Sequence, residues 1–384
     1  MSTKAVGLKK GLGAGGKSPS RWLHGFCLAT LIATFPLIFL GGLVTSLGAG
    51  LSVPDWPNSY GYNMFLFPPS MWVGGILYEH THRLQGTLVG LLAIFQCVVA
   101  WRTESRAWVK WLCTAVLLSV IAQGLLGGFR VTEISLVLAI LHGIFAQIVL
   151  GTMAVACVVT SKWWRTAPNL SAGGGRPGRM VWLAMGVAGL VVLQLVAGAM
   201  MRHKEAGLAI PDLPLAYGRL IPPTDAAGLA AANSMRLATG ESAIAKPVTM
   251  YKVWLHFSHR VGAVVVTTGV LALAWLTIRR GRGQGAVVYL GWLLIPMITA
   301  QVALGLATIY FRKPADIATV HHTLGAILLM TVVVLGVRAG RLFWARSAEV
   351  TVHAARAAGA EEGFVTADSS DRGQSKGAKS LVTA

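Results

Sequence analysis

Residues 50–61 read GLSVPDWPNSYG, and residues 207–218 read GLAIPDLPLAYG. Seven of the twelve aligned positions are identical, and each stretch follows a long apolar segment. A segment repeated in this way indicates that the chain is built from two copies of one structural unit.

Further matches keep the same order in both copies, which strengthens the interpretation of a duplication. They pair residues 79–83 (EHTHR) with 256–260 (HFSHR), Gln123…Gly127 with Gln301…Gly305, and residues 141–142 (LH) with 320–321 (VH).

The segments between these motifs are apolar and long. Hydrophobic residues make up 54% of the 384 residues and charged residues only 12%, against about 25% charged in a soluble domain. This excludes an ordinary soluble enzyme and a disordered chain. Segments long enough to cross a core of ~30 Å lie near residues 25–46, 78–101, 107–128, 135–160, 180–201, 252–278, 285–308 and 317–342. The sequence therefore predicts an all-α integral membrane protein of eight transmembrane helices, arranged as two four-helix bundles related by a pseudo-twofold axis along the membrane normal.

Basic residues set the expected orientation, because Lys and Arg favour the cytoplasmic side. The loop 47–77 contains no Lys or Arg, whereas the connections on the other side and the N-terminal segment are basic. We expect both termini in the cytoplasm and the two long loops outside, in the cell inner membrane. The net charge of +19 is then explained by basic cytoplasmic loops and ends. We expect the chain to contact membrane lipid and to bind no nucleic acid. The predicted organisation is a basic cytoplasmic tail (1–24), a first four-helix unit (25–160), a cytoplasmic linker (161–179), a second four-helix unit (180–342) and a disordered cytoplasmic tail (343–384).

Four histidines lie within the predicted spans at matched positions of the two units. They are His82 and His142 in the first unit, and His259 and His321 in the second. Polar residues at membrane depth are costly and usually functional. Each unit places two of them on different helices near the outer end, which is the arrangement that axial ligation of haem iron requires. Zinc is disfavoured because it needs four close ligands, and the second pair has no nearby Asp or Glu.

A carboxylate and two arginines adjoin the histidines. Glu79 precedes His82 by three residues on the same helical face and could move protons, although a structural pairing with Arg83 remains open. Its counterpart in the second unit is His256. Arg83 and Arg260 could bind the carboxylates of haem propionates, or could instead be arginines that reach to the membrane interface.

Together, the motif Glu79-x-x-His82-Arg83, its counterpart ending in His259-Arg260, and the spans of His142 and His321 resemble the haem A synthase family of cytochrome oxidase assembly proteins. The similarity covers about residues 25–342. It implies oxidation of the C8 methyl of haem O to a formyl group. It further implies that His259, His321 and Arg260 hold a b-type haem, that His82, His142 and Arg83 face the substrate haem, and that Glu79 is catalytic.

One feature departs from part of that family. Some bacterial members carry a cysteine pair in the first outer loop, whereas this loop reads VPDWPNSYGYN, so the chain resembles the branch without the pair. Candidate partners are haem O synthase, cytochrome oxidase assembly factors and a second copy of the chain. A di-haem b-type electron carrier is the main alternative, and Glu79 in only one unit argues against it. A transporter built from repeats would place its polar residues at the membrane midplane.

Overall fold

The computed structural model describes residues 21–168, 170, 178–241, 244–281 and 283–343. Most of the predicted N-terminal and C-terminal tails, and residues 171–177 of the predicted linker, lie outside the described residues. The predicted boundaries of the domains therefore stay predictions.

The described chain is helical. Its helices are α1 (Arg21–Ser46), α2 (Gly75–Thr103), α3 (Ala107–Thr132), α4 (Leu136–Thr160), α5 (Lys162–Thr166), α6 (Gly178–His203), α7 (Ala226–Ala238), α8 (Met250–Arg280), α9 (Gly285–Tyr310) and α10 (Ala315–Phe343). Eight of these, all except α5 and α7, are long and apolar enough to cross a membrane. Within the described ranges there is no β-strand beyond two isolated bridges. The prediction of an all-α protein with eight spans is confirmed.

The helices differ from the predicted segments mainly at their ends, which extend by up to four residues. The loop 202–251 also contains α7, which the sequence analysis did not predict. The N-terminus of α7 is capped by Asp225, whose carboxylate accepts a hydrogen bond from Gly228 N at 2.7 Å. Such a cap satisfies one of the free N–H groups of the first turn.

The packing follows the order of the chain. In the first half, α1 and α3 each pack against α2 and α4, and in the second half α8 and α10 each pack against α6 and α9. These contacts are compatible with two four-helix units. The halves meet where α10 contacts α1 and α4, and where α4 contacts α6. One buried cluster, which includes Leu150 and Met153, fills the first half, and a second, which includes Leu294 and Val332, fills the other.

The duplicated segments form the same tight turn at the same end of each half. We call it the outer turn, and this end the outer end, because the sequence predicts that it faces outside. The Asp55 carboxylate accepts hydrogen bonds from Tyr60 N (2.7 Å) and Gly61 N (2.8 Å). Asp212 bonds Tyr217 N (2.8 Å) and the next amide, Gly218 N (2.9 Å), in the same way. Both residues of each Tyr-Gly pair have positive φ, 52° and 76° in the first turn and 57° and 74° in the second. The shared Asp and Gly are thus the residues that make this turn.

The Asp55 carboxylate illustrates the local electrostatics of the turn. Partial burial acts to raise its pKa, but the hydrogen bonds from the backbone of Gly61 and Tyr60, helped by the charge of Arg83, hold the pKa below its ordinary value. The side chain therefore stays ionised and keeps the turn closed near neutral pH.

A buried ion-pair cluster lies at the opposite, inner end of the first half. The Glu104 side chain is 1% exposed and lies 2.9 Å from both Arg106 Nη2 and Arg165 Nη2. Burial acts to raise the pKa of Glu104, but the hydrogen bonds of Arg106 and the charges of both arginines hold that pKa at about 2. This cluster joins the turn between α2 and α3 to α5.

Candidate functional site

The structure brings the four predicted histidines together as two pairs. His82 on α2 is close enough to His142 on α4 for their charges to interact, and His259 on α8 interacts in the same way with His321 on α10. All four rings are half-buried. In the described part of the chain, no group of three or more His, Cys, Asp or Glu side chains is placed to hold a metal ion. The histidines are thus available as pairs, the ligand set that a six-coordinate haem takes.

Each of the four rings packs against a glycine on a neighbouring helix. A Cβ atom added at these glycines would lie 2.9 to 3.2 Å from the Cε1 atom of the imidazole, closer than ordinary contact. The pairs are Gly41 with His82, Gly127 with His142, Gly198 with His259 and Gly305 with His321. The glycines therefore let the imidazoles lie directly against a helix backbone.

Two of the rings are also oriented by a hydrogen bond on the Nδ1 side. His142 Nδ1 lies 3.1 Å from the Gln123 carbonyl oxygen, and His321 Nδ1 lies 3.1 Å from that of Gln301. A carbonyl can only accept, so Nδ1 carries the proton and Nε2 keeps its lone pair. This is the tautomer that binds a metal through Nε2. His259 differs from these two rings. The Gln194 Nε2 amide, which can only donate, lies 3.2 Å from His259 Nδ1, so in this arrangement Nδ1 accepts and Nε2 carries the proton.

Glu79 and Arg83 connect α2 to the first outer turn. Glu79 Oε2 accepts a hydrogen bond from Val53 N at 2.9 Å, and Glu79 Oε1 pairs with Arg83 Nη2 at 3.1 Å. Arg83 also donates to the carbonyl oxygens of Val53 (2.7 Å), Asp55 (2.6 Å) and Asn58 (2.9 Å). The predicted alternative, in which Glu79 pairs with Arg83, is thus present in the structure, and the carboxylate is buried at 4% exposure.

His256 and Arg260 make the matching connection in the second half. The Ile210 N–H donates to His256 Nδ1 at 3.1 Å, and Arg260 Nε lies 3.3 Å from His256 Nε2. Arg260 donates to the carbonyl oxygens of Ile210 (2.7 Å) and Leu215 (2.9 Å). In each half, the first residue of the five-residue motif (Glu79 or His256) and its arginine therefore bind the outer turn. The histidine that precedes the arginine, His82 or His259, belongs to a histidine pair. Binding of propionates by Arg83 and Arg260 stays a prediction, because these hydrogen bonds occupy much of each guanidinium.

The first outer loop also covers the start of α2. His80 is fully buried, and its Nδ1 lies 3.2 Å from Ser59 Oγ. Its ring packs against Phe67 and Trp72, with centroids 4.9 and 4.7 Å away. The loop aromatics Phe67 and Trp72 thus pack onto the start of α2 at His80, and part of the apolar surface of the loop, notably Phe65, remains exposed.

Sequence reasoning missed two kinds of site residue. Gly127, Gly305 and the carbonyls of Gln123 and Gln301 appeared in the sequence only as matched positions of the two copies, and Gly41 and Gly198 were not among those positions at all. The signal that could have found Gly127 and Gly305 is the repetition of Gln and Gly, four residues apart, in both halves. This spacing puts the two residues on the same face of a helix.

The fold and the site together define a class of protein. It is a helical membrane protein with eight candidate spans, an internal duplication, and one pair of histidines in each half. The family described as "Cytochrome oxidase assembly protein" (COX15-CtaA) matches residues 73–334. The chain belongs to this family.

Curated relatives cover most of the chain and most of their own length. The heme A synthase of Lysinibacillus sphaericus (strain C3-41) is 26% identical over 80% of this chain and 92% of its own. That of Geobacillus kaustophilus (strain HTA426) is 26% identical over 78% and 86%, respectively. That of Bacillus cereus (strain AH187) is 26% identical over 79% and 89%. The chain is therefore similar to these enzymes over about four fifths of its length.

Proposed function

We propose that the chain is a haem A synthase, a membrane oxidoreductase that converts the C8 methyl of haem O to a formyl group. The observation that carries the proposal is the pair of matched histidine sites with a buried carboxylate, Glu79, beside only one of them. Membership of the family and the names of the relatives support the same activity. An electron carrier with two equivalent haems would give no reason for this asymmetry.

The second half suits a permanent cofactor. His259 and His321 come from different helices, lie close together and are each held against a glycine, so two imidazoles could ligate one b-type haem. His256 replaces the carboxylate, and its Nδ1 accepts a hydrogen bond from Ile210 N in the outer turn. When bound, this haem would supply one-electron redox chemistry.

The first half suits the substrate. His82 and His142 would hold the iron of haem O and thereby fix the position of the porphyrin ring. Phe67 and Trp72, which pack around His80 two residues before His82, would exclude water from the side of the loop. Exclusion of water strengthens the electrostatic interactions within a site.

In this proposal Glu79 holds or moves a proton in the first half. Its Oε1 atom shares Arg83 with three backbone carbonyls. Arg83 would thus remain anchored if Oε1 took up a proton. The outer turn could therefore keep its position while Glu79 changes charge, which is what a general acid or base needs.

The setting follows from the same proposal. The enzyme would lie in the cell inner membrane with both termini in the cytoplasm and with its histidine pairs near the outer face. It would receive haem O from a haem O synthase and pass its product to cytochrome oxidase assembly factors. A second copy of the chain is a further candidate partner.

The proposal is tested by expression in a host that makes haem O but no haem A, followed by extraction and chromatography of the pigments. We expect haem A in cells with the wild-type chain and none with His142→Ala as the control. A wild-type protein that shows a haem spectrum but leaves haem O unconverted would refute the synthase and favour the electron carrier.

A further inference from the structure

Two arginines at outer helix ends have no acidic partner. Arg130 lies in the last turn of α3 and Arg202 in the last turn of α6. Among the described residues, the ion pairs to acids involve other cations. Glu79 is close enough to act on the Arg130 charge but is itself paired with Arg83. Both guanidinium groups are half-buried, and a cation in that setting favours an anionic ligand.

Their existing hydrogen bonds use only part of each guanidinium. Arg130 Nη2 donates to the Gly50 carbonyl at 2.7 Å. Arg202 Nη2 donates to the Gly42 carbonyl and to Ser46 Oγ, both on α1. A guanidinium carries five N–H donors, so one nitrogen used for the backbone leaves two others for a ligand. These bonds fix the arginine without saturating it.

Each arginine lies one helical turn beyond a glycine that touches a paired histidine. Gly127 touches His142, and Arg130 follows it by three residues. Gly198 touches His259, and Arg202 follows it by four residues. Such spacings place the two side chains on one helix face. The rise of 1.5 Å per residue sets the arginine about 4.5–6 Å nearer the outer end than the glycine that touches the imidazole.

Electrostatic contacts connect each arginine with a different pair. The Arg130 charge acts on both His82 and His142, and the Arg202 charge acts on His321. By contrast, Arg83 and Arg260 spend most of their donors on the outer turns. Each half therefore has one cation that is close to its histidines and still has free donors.

We propose that Arg202 binds a propionate carboxylate of the haem held by His259 and His321, and that Arg130 binds a propionate carboxylate of the haem held by His82 and His142. The proposal rests on the haem sites proposed above. A planar guanidinium can bind a carboxylate through two parallel N–H···O bonds. Such a bond would fix the rotation of the porphyrin about the axis through the iron and the two imidazoles. In the first half, that rotation decides which methyl group lies towards Glu79.

The test compares a haem that has propionate carboxylates with one that lacks them. The full chain with His142→Ala, so that only the second pair binds, is made in a haem-deficient host and placed in lipid nanodiscs. Iron protoporphyrin IX and its dimethyl ester are then titrated, and the low-spin Soret absorption gives each dissociation constant. We expect the diacid to bind at least tenfold more tightly than the diester, because hydrogen bonds to charged groups are the stronger class.

Substitution of the arginine should remove that preference. In Arg202→Gln the diacid and diester should bind within about threefold of each other, whereas Arg312→Gln, which removes an outer arginine paired with Glu241, should keep the preference. Comparing two ligands across two proteins cancels the difference in solubility of the ester. The same design in a His321→Ala background, with Arg130→Gln, tests the first half.

Equal binding of diacid and diester by the parent protein would overturn the proposal, as would an unchanged preference in Arg202→Gln. If Arg202→Gln fails to accumulate, Arg202→Lys decides. Lysine keeps the charge but loses bidentate geometry, so a reduced preference supports the proposal and an unchanged one overturns it. Failure of either probe to give a low-spin spectrum would overturn the histidine assignment and this proposal with it. Because this titration measures haem binding and not synthase activity, a failure of the proposed synthase function would be detected separately, by pigment extraction.

Discussion

The glycine opposite His142 offers a sharp test of how the imidazoles are held. Gly127→Ala places a Cβ atom 3.0 Å from His142 Cε1 and 3.4 Å from Nδ1, whereas Gly124→Ala, three residues earlier on α3, meets nothing within 4 Å. Both changes replace glycine by a better helix former, worth about 1 kcal/mol in helix stability. The two variants therefore share their effect on the helix and differ in their effect on His142.

The magnitude follows from the distances. Ordinary contact begins at 3.4 Å, so the imidazole must move by about 0.4 Å, near the ~0.5 Å tolerance of a catalytic group. A displacement of about 1 Å can cost ~100-fold in rate. We therefore expect Gly127→Ala to lower the conversion of haem O about tenfold, and Gly124→Ala to leave it unchanged.

The assay is pigment extraction from a host that makes haem O, with the amount of haem A divided by the amount of purified protein. The low-spin haem spectrum from the second half serves as an internal control and should be the same in both variants. Equal haem A yields from Gly127→Ala and Gly124→Ala would refute the idea that this glycine positions His142.

Three other predictions address the carboxylates and the topology. Glu79→Gln keeps an acceptor for Val53 N but cannot ionise, so it should bind b-type haem normally and accumulate haem O; a normal yield of haem A would remove Glu79 from the mechanism. Glu104→Gln should destabilise the protein by about 2 kcal/mol at neutral pH, because Arg106 and Arg165, which are partly exposed, lose their charged hydrogen-bond acceptor. The pKa of Glu104 in the folded protein, about 2, lies below its ordinary value of 4.5. This stabilisation should therefore be complete above about pH 5 and lost as the pH falls towards about 2. A difference in Tm between the wild-type protein and Glu104→Gln that does not shrink in acid would contradict the prediction. Reporter fusions after Arg106 should read cytoplasmic and a fusion near Ala231 external, and the opposite result would invert the topology.

Much of the fold was predictable because membrane helices follow simple rules. The length of the apolar segments fixed the spans to within a few residues, since each must cross the same hydrocarbon core. The two copies of the PDxPxxYG segment indicated the duplication. The structure shows why both copies share these residues, because Asp55 and Asp212 close the turns that Gly61 and Gly218 permit.

The hydrogen-bond partners of the site residues were harder to predict. The sequence put Glu79 and Arg83 beside His82, but it could not show that both would be committed to a loop 26 to 30 residues away in the chain. Such long-range hydrogen bonds depend on where the loop packs, and no helical periodicity encodes that. The short helix α7 does carry local signals, because residues 226–238 contain six alanines, the best helix former, behind the Asp225 cap. It is too short to stand out as a span.

The assignment of one haem to each histidine pair is tested most directly by absorption and electron paramagnetic resonance spectra of four single variants of the purified protein. His259→Ala and His321→Ala should lose the low-spin b-type signal while still inserting in the membrane. His82→Ala and His142→Ala should keep that signal and lose the production of haem A. Retention of the wild-type signal by both His259→Ala and His321→Ala would contradict the assignment.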